Sequence, residues 1–426
     1  MSNLKSWLNH IESFHPDEIE LGLDRISNLA RKLNLLDLDC KVIMVGGTNG
    51  KGSCVATLES FALSSNLSVG CYTSPHLINF NERIRVNGED ISDNELISSF
   101  EKIEKAREQL ALTFFEFTTL VALQIFKLAK LDLVILEVGL GGRLDAVNII
   151  EPDVSIITTI DFDHQSWLGN SLPEIAFEKS GICRKGIVNL VGDRPSYNLI
   201  VEARPEVGSE LTLIDILDKN DGLWSKFSEL ISDPSVNPHR LLLQNIMLAT
   251  RAFEALFPLQ FEQVDLRSVL TQINIKGRFQ KISDDPLVII DVGHNLQAAR
   301  NLKQQIKSLK CKGKRYAICG MMADKAIGRF LKTLDDVIDT WYFVSLPVER
   351  AAKAEQLQTL YKKVFPNKQT YAIADTRKAY QDIIAGLSDE DQIFVFGSFV
   401  TLEQMIRCIE IKTNTMNEVE SSKNAV

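Results

Sequence analysis

Short apolar runs alternate with longer stretches of helical period along most of this chain. Val42-Ile43-Met44-Val45 reads as a strand buried on both faces, followed by a glycine loop and a helix over residues 52–65. Residues 69–72, 133–136 and 154–157 are further strands by the same pattern. Strands apolar throughout and separated by helices predict a parallel sheet covered on both faces. The second half repeats the style on a smaller scale, with strands at 287–290, 316–318, 341–344, 370–373 and 393–396 and helices at 295–309 and 326–337. The expected fold class is α/β: a doubly wound parallel sheet domain with a phosphate loop, then a smaller, Rossmann-like α/β domain.

The expected organisation is a first domain over 1–276, a polar linker over 277–285 after a helix at 264–272, a second domain over 286–412, and a frayed tail over 413–426. With 426 residues, each half can bury its own core. A hydrophobic share of 45% and a charged share of 24% suit a soluble globular protein. The net charge of −9 argues against a nucleic-acid partner, which would call for clustered Lys and Arg. Seven cysteines without C-x-x-C or Cys/His spacing read as reduced thiols of a cytoplasmic protein. The N-terminus leads into no apolar signal region, and the most apolar stretch, 117–129, is too short to span a bilayer.

Gly46-Gly47-Thr48-Asn49-Gly50-Lys51-Gly52-Ser53 is the strongest local signal. It lies between a strand and a helix, where backbone amides and a helix N-terminus can cradle an anion. Lys51 can reach the outer phosphates of a nucleotide. The spacing departs from G-x-x-x-x-G-K-[ST], because residue 45 is Val and Gly52 separates Lys51 from Ser53. The bland alternative is a glycine turn with an incidental lysine.

Three other segments place polar residues where strands end: Thr73-Ser74-Pro75-His76, Glu137-Val138-Gly139, and Asp161-Phe162-Asp163-His164. In a doubly wound sheet, the carboxyl ends of neighbouring strands face one crevice. Ser74, Glu137, Asp163 and His164 can therefore meet beside the phosphates, a set that suits Mg²⁺, which favours oxygen donors, with the His164 nitrogen the less usual ligand among them. Taken singly, His164 reads as a structural histidine and Ser74 as a turn residue. Glu137, a carboxylate directly after an apolar strand, has no packing role. Lys179, in Glu178-Lys179-Ser180-Gly181, reads as an exposed cation at a helix end.

Together these residues resemble the folylpolyglutamate synthase family, in its bacterial bifunctional dihydrofolate synthase form, within the Mur-type ligases. The likeness runs through nearly the whole chain. It includes His15-Pro16 through Ile19-Glu20-Leu21-Gly22-Leu23-Asp24-Arg25, Gly47 to Ser53, Thr73-Ser74-Pro75-His76-Leu77 with Asn81 to Gly88, and Phe115-Glu116-Phe117. It continues through Glu137 to Asp145, Asp163-His164 with Leu168-Gly169, Glu178-Lys179, Gly277-Arg278-Phe279-Gln280, Asp291 with His294-Asn295, and Phe396-Gly397-Ser398-Phe399.

The resemblance implies a ligase that uses ATP and Mg²⁺ to join L-glutamate to dihydropteroate and to reduced folates through an acyl phosphate, and a monomer is expected. It implies catalytic roles for Lys51, Glu137, His164, Lys179 and His294. Ser74, Glu137 and His164 would hold the metal. Lys179 would be carried as a carbamate, which overturns its bland reading. The nucleotide would contact Gly47, Thr48, Asn49, Gly50, Lys51, Gly52, Ser53, Asn245, Arg278, Asp291 and His294. Gly22, Leu23, Arg25, Arg83, Phe115, Asp163 and Ser398 would bind the other substrates. Closure of the second domain would keep the acyl phosphate from water.

The chain departs from the family pattern at Gly293 and Leu296, where Ala and Pro are commoner, at Ser180 and Asp161-Phe162, and at Ala323 and Val400. None of these removes a metal ligand or the loop lysine. Three rival readings stand at this point: a Mur-type ligase acting on a cell-wall precursor, a P-loop kinase or regulatory ATPase, and a catalytically silent binding module, against which the intact Lys51, Glu137 and His164 argue.

Overall fold

A computed structural model describes residues 3–14, 20–214, 222–237 and 241–410. The His15 to Ile19 part of the N-terminal signature and the expected tail over 413–426 lie outside the described residues. The chain divides into two compact units, residues 1–275 and 276–426.

The first unit carries strands β1 (Lys41–Gly46), β2 (Val69–Tyr72), β3 (Ile84–Val86), β4 (Glu89–Asp90), β5 (Leu133–Glu137), β6 (Val154–Ile157), β7 (Val188–Val191) and β8 (Leu211–Leu213). They form one sheet in the order β4-β3-β2-β5-β1-β6-β7-β8. Neighbours from β2 to β8 run parallel, whereas β3 and β4 are antiparallel additions at one edge. Side chains of β1 alternate between two cores: Val42 and Met44 enter one, Ile43 and Val45 the other. That period of two is what a sheet covered on both faces requires. Each such fully buried side chain is worth roughly 1.5–3 kcal/mol relative to exposure. The helix Lys51–Ser64 is buried from Ser53 to Ala62, so it is an internal helix rather than an amphipathic one.

Because β1 lies between β5 and β6, the chain leaves β1 toward β2 on one side and later reaches β6 on the other. Ligands favour such a switch point, at the carboxyl ends of the strands. Gly46, Glu137 and Ile157 are the last residues of β1, β5 and β6.

The second unit holds β9 (Gln280–Asp284), β10 (Leu287–Asp291), β11 (Arg315–Cys319), β12 (Thr340–Val344), β13 (Gln369–Ile373) and β14 (Gln392–Phe396), in the order β13-β12-β11-β14-β10-β9. All neighbours are parallel except β9, which runs antiparallel to β10. Residues 277–285, expected as a linker, thus contribute an edge strand. Its half-polar Gln-Lys-Ile-Ser-Asp sequence hides it from a hydrophobic pattern, because an edge strand buries little. Among the described residues, no helix is long and apolar enough to cross a membrane.

Candidate active site

The loop after β1 is shaped by two left-handed glycines. Gly47 has φ +132° and Gly50 φ +93°. A Cβ at Gly47 would fall 1.9 Å from Thr158 Oγ1, and one at Gly50 would fall 2.5 Å from Asn245 Oδ1. Only glycine meets both constraints. The second contact puts Asn245, on the helix Leu243–Leu256, directly against the loop. Gly50 caps the following helix without a side-chain hydrogen bond. The first-turn amides therefore stand as donors for an anion.

Not every amide of the loop is available. Thr48 N donates to Thr159 O at 2.7 Å, and Asn49 N to the Thr159 hydroxyl at 3.3 Å. Those two amides are already paired within the fold.

Two lysines meet on one carbonyl. Lys51 Nζ donates to Gly47 O at 3.1 Å and to Thr48 O at 3.5 Å, while Lys179 Nζ donates to the same Gly47 O at 3.2 Å. Lys179 ends the helix Leu172–Lys179 and is only 4% exposed, which corrects the reading of an exposed helix-end cation. Burial, and next the nearby Lys51, push its amine down to about 7, although Asp163 and Asp145 pull the other way.

Asp145 is buried too. It accepts from Leu140 N at 2.7 Å and Val147 N at 3.1 Å, and burial raises it to about 6. Asp145 and Thr159 carry no assigned role from sequence. The available signal for Asp145 was its place just before a short helical turn that it caps.

At the end of β5, Glu137 stands opposite Val45 in the sheet and is 6% exposed. Its Oε2 accepts from Ser74 N at 3.3 Å, so the structure brings Ser74 and Glu137 together beside the glycine loop. A nearly buried carboxylate with a neighbouring serine, next to a phosphate cradle, fits a divalent cation that takes oxygen donors and keeps waters. Among the described residues, no group of three or more His, Cys, Asp or Glu side chains is placed to hold a metal ion. The expected trio of Ser74, Glu137 and His164 contains only two of those types.

His164 has φ +50° and a 43% exposed side chain, with Nε2 4.0 Å from Asp163 Oδ1. The Asp163 side chain is 8% exposed and accepts from His164 N. Hydrogen bonds to Thr48 and Asn49 hold this segment against the glycine loop.

On the other side of Glu137, Arg83 Nε donates to His76 Nδ1 at 2.8 Å. Its guanidinium lies over the rings of Phe80 and Phe114 at 5.6 and 5.5 Å. Burial lowers Arg83 from its ordinary value, against the pull of Tyr72 and Glu137. Phe115 stacks on Tyr72 with ring centres 5.7 Å apart and lies against Gly139, where a Cβ would approach its Cζ to 2.7 Å. Arg25 is already engaged: Nε donates to Glu116 at 2.7 and 2.9 Å, and the guanidinium also pairs with Glu20. Leu23 caps the helix Asp24–Lys32, and a Cβ on Gly22 would meet open space.

The second unit has its own strand-end loop. Asp291, the last residue of β10, accepts from Gly293 N at 2.7 Å and Phe279 N at 2.9 Å. Burial raises its carboxyl, opposed first by Arg278 and then by those amides and His294. His294 Nδ1 lies 2.9 Å from Val292 O, which fixes the proton on that nitrogen in the neutral ring. Ser398 serves locally: its hydroxyl accepts from Thr401 N at 3.2 Å at the start of the helix from residue 399.

The fold and these loops define an ATP-using ligase of the Mur type, and residues 277–399 match the Mur ligase, glutamate ligase domain family. The chain is 36% identical to the dihydrofolate synthase/folylpolyglutamate synthase of Haemophilus influenzae, over 96% of this chain and 98% of that one. The structure of Escherichia coli FolC with DHPP and ADP superposes with a TM-score of 0.85 at 35% identity, covering 97% of this chain and 99% of that one. A bifunctional folylpolyglutamate synthase/dihydrofolate synthase with Mn, AMPPNP and L-glutamate bound gives 0.84 at 35%, covering 96% and 98%. The chain belongs to the dihydrofolate synthase/folylpolyglutamate synthase family.

Proposed function

We propose that this protein uses ATP and Mg²⁺ to join the α-amine of L-glutamate to the carboxylate of dihydropteroate, giving dihydrofolate, and to that of reduced folates, giving folylpolyglutamates. The observation that carries the reading is the meeting of a glycine loop, Lys51, buried Lys179 and Glu137 at the ends of adjacent strands.

A carboxylate oxygen is a poor leaving group, so the substrate carboxylate must first be activated. Its attack on the γ-phosphorus of ATP releases ADP and leaves an acyl phosphate. The glutamate amine then attacks the acyl carbon, the amide forms, and phosphate departs with the bonding electrons. Positioning and charge neutralisation dominate such transfers. The amides from Gly50 to Ser53 would hold the phosphates, with Lys51 neutralising them. Ser74, Glu137 and His164 are assigned to the divalent cation, which would supply further neutralisation when bound.

Asn245, Arg278, Asp291 and His294 are proposed as further nucleotide contacts. Phe115, Asp163 and the Gly22–Arg25 segment are assigned to the pterin end, and Arg83 and Ser398 to the substrate carboxylates. A lysine lowered to about 7 is partly a free amine at neutral pH, and only the free amine adds CO₂. That supports a carbamate at Lys179. We place the enzyme in the cytoplasm as a monomer; its seven free thiols suit a reducing compartment.

The test is an amide-formation assay with ATP, Mg²⁺ and labelled glutamate, offering dihydropteroate, tetrahydrofolate and a UDP-sugar acid separately. Labelled product with the first two supports the reading. Product only with the UDP-sugar acid would assign a cell-wall ligase, and phosphate release indifferent to glutamate would assign an ATPase.

A further inference from the structure

Thr48 belongs to the glycine loop, yet its side chain serves a different segment. The β1–β6 ladder runs as far as the Gly46–Ile157 pair and continues with Thr158 N donating to Gly46 O at 3.0 Å and Thr48 N to Thr159 O at 2.7 Å. Beyond that point the glycine loop turns away, and its main chain cannot supply the next rung. The Thr48 hydroxyl supplies it. It donates to Asp161 O at 3.2 Å and accepts from Asp161 N at 3.0 Å, so one hydroxyl satisfies both main-chain groups of one residue. A β-branched threonine, stiff at χ1, is well suited to this place. Thr159 reciprocates: its hydroxyl accepts from Asn49 N and donates to Asn49 O, both at 3.3 Å. Immediately beyond this double clasp come Asp163 and His164.

We propose that Thr48 is a positioning residue whose hydroxyl sets the place of the Asp161–His164 segment, so that the phosphate loop fixes the metal- and pterin-binding side of the site. The functional consequence rests on the assignment of Asp163 and His164 above; the positioning itself does not. Since the side chain points to Asp161, its loss should spare the nucleotide and weaken the other ligands.

Thr48→Val removes the hydroxyl at nearly constant volume, and Thr48→Ser retains it. In full-length Thr48→Val, amide hydrogen exchange over residues 160–168 should accelerate about tenfold, as loss of two net hydrogen bonds implies. The Mg²⁺ activation constant and the KM for dihydropteroate should rise about tenfold. Affinity for a non-hydrolysable ATP analogue should stay within about twofold, and Thr48→Ser should restore wild-type behaviour. Unchanged exchange in Thr48→Val, a loss confined to nucleotide affinity, or a serine variant as impaired as valine would each overturn the proposal. His164→Ala, run in parallel, separates the two layers. If it leaves Mg²⁺ activation unaltered, the metal assignment fails, while the exchange result still decides the role of Thr48.

Discussion

Both units place a strand, a short loop and a helix at the carboxyl end of a central strand, and they use this geometry in opposite ways. After β1, two left-handed glycines bend the loop, Gly50 leaves the helix without a side-chain cap, and Lys51 brings positive charge. After β10, the chain spends its own donors. Asp291 takes the amides of Gly293 and Phe279, and Asn295 caps the next helix by accepting from Ala298 N. The first loop is built to receive an anion. The second holds the buried side chain of Asp291, with Arg278 and His294 near it. The helix after β10 has its N-terminus capped by a neutral side chain, that of Asn295, whereas the helix after β1 has none.

The largest test of this contrast is charge removal at the first loop. Lys51→Ala and Glu137→Ala should each lower glutamate-dependent ATP turnover by about 10²–10³-fold or more, because each removes a preorganised charge from the transferring phosphate or its cation. Near-normal turnover in either, measured by coupled ADP release, contradicts the assignment.

Glycine replacement is next in size. Gly50→Ala combines φ +93° with a 2.5 Å clash on Asn245 and should cost about 2 kcal/mol in unfolding titrations, with weaker nucleotide binding. Gly293→Ala is free of that backbone strain. Its Cβ would meet Asp291 Oδ1 at 2.7 Å and Ala298 Cβ at 3.1 Å, so a loss of about 1 kcal/mol is expected. Equal losses would erase the distinction between the two loops.

Lys179 gives a pH signature. Its folded pKa of about 7 lies below the ordinary 10.5. Below pH 7 both folded and unfolded chains hold the proton, and the fold bears the full cost of a buried ammonium. As pH rises from about 7 toward 10.5 the folded state sheds its proton first, and the cost disappears. Lys179→Met, in bicarbonate-free buffer, should therefore raise Tm by on the order of 5 °C at pH 6, with the gain shrinking steadily toward pH 10. A gain independent of pH contradicts a buried, weakly basic lysine. The smallest expected effect is Asn295→Ala, a lost cap worth about 1 kcal/mol by thermal unfolding.

The central strands were legible from sequence because burial on both faces leaves continuous apolar runs, as in Val42 to Val45 and Leu133 to Leu136. Other strands were not: β3, β4 and β8 are two or three residues long, β9 is half polar and β7 is interrupted by Asn189, whereas the edge strand β13 was read from Thr370 to Ile373. Glycines around a lysine marked the phosphate loop. Lys179 was illegible alone, since a helix-end lysine looks exposed until the fold lays it under Gly47. Thr48, Thr159 and Asp145 were hidden for a related reason. The partners of Thr48 and Thr159 are main-chain atoms of distant segments and those of Asp145 are nearby amides, and no side-chain pattern records a backbone partner. Arg25 pairs with Glu116 and Ser398 caps a helix in this structure, local roles that no sequence pattern showed beside the substrate contacts the family resemblance implies.

The most direct measurement is a crystal structure of the protein with Mn²⁺ and a non-hydrolysable ATP analogue, the metal located by anomalous scattering. The account predicts phosphate oxygens on the amides from Gly50 to Ser53, Lys51 Nζ moved from Gly47 O to the phosphates, and the metal bound by the Glu137 carboxylate. Nucleotide bound elsewhere, or a metal that leaves Glu137 untouched, would contradict it.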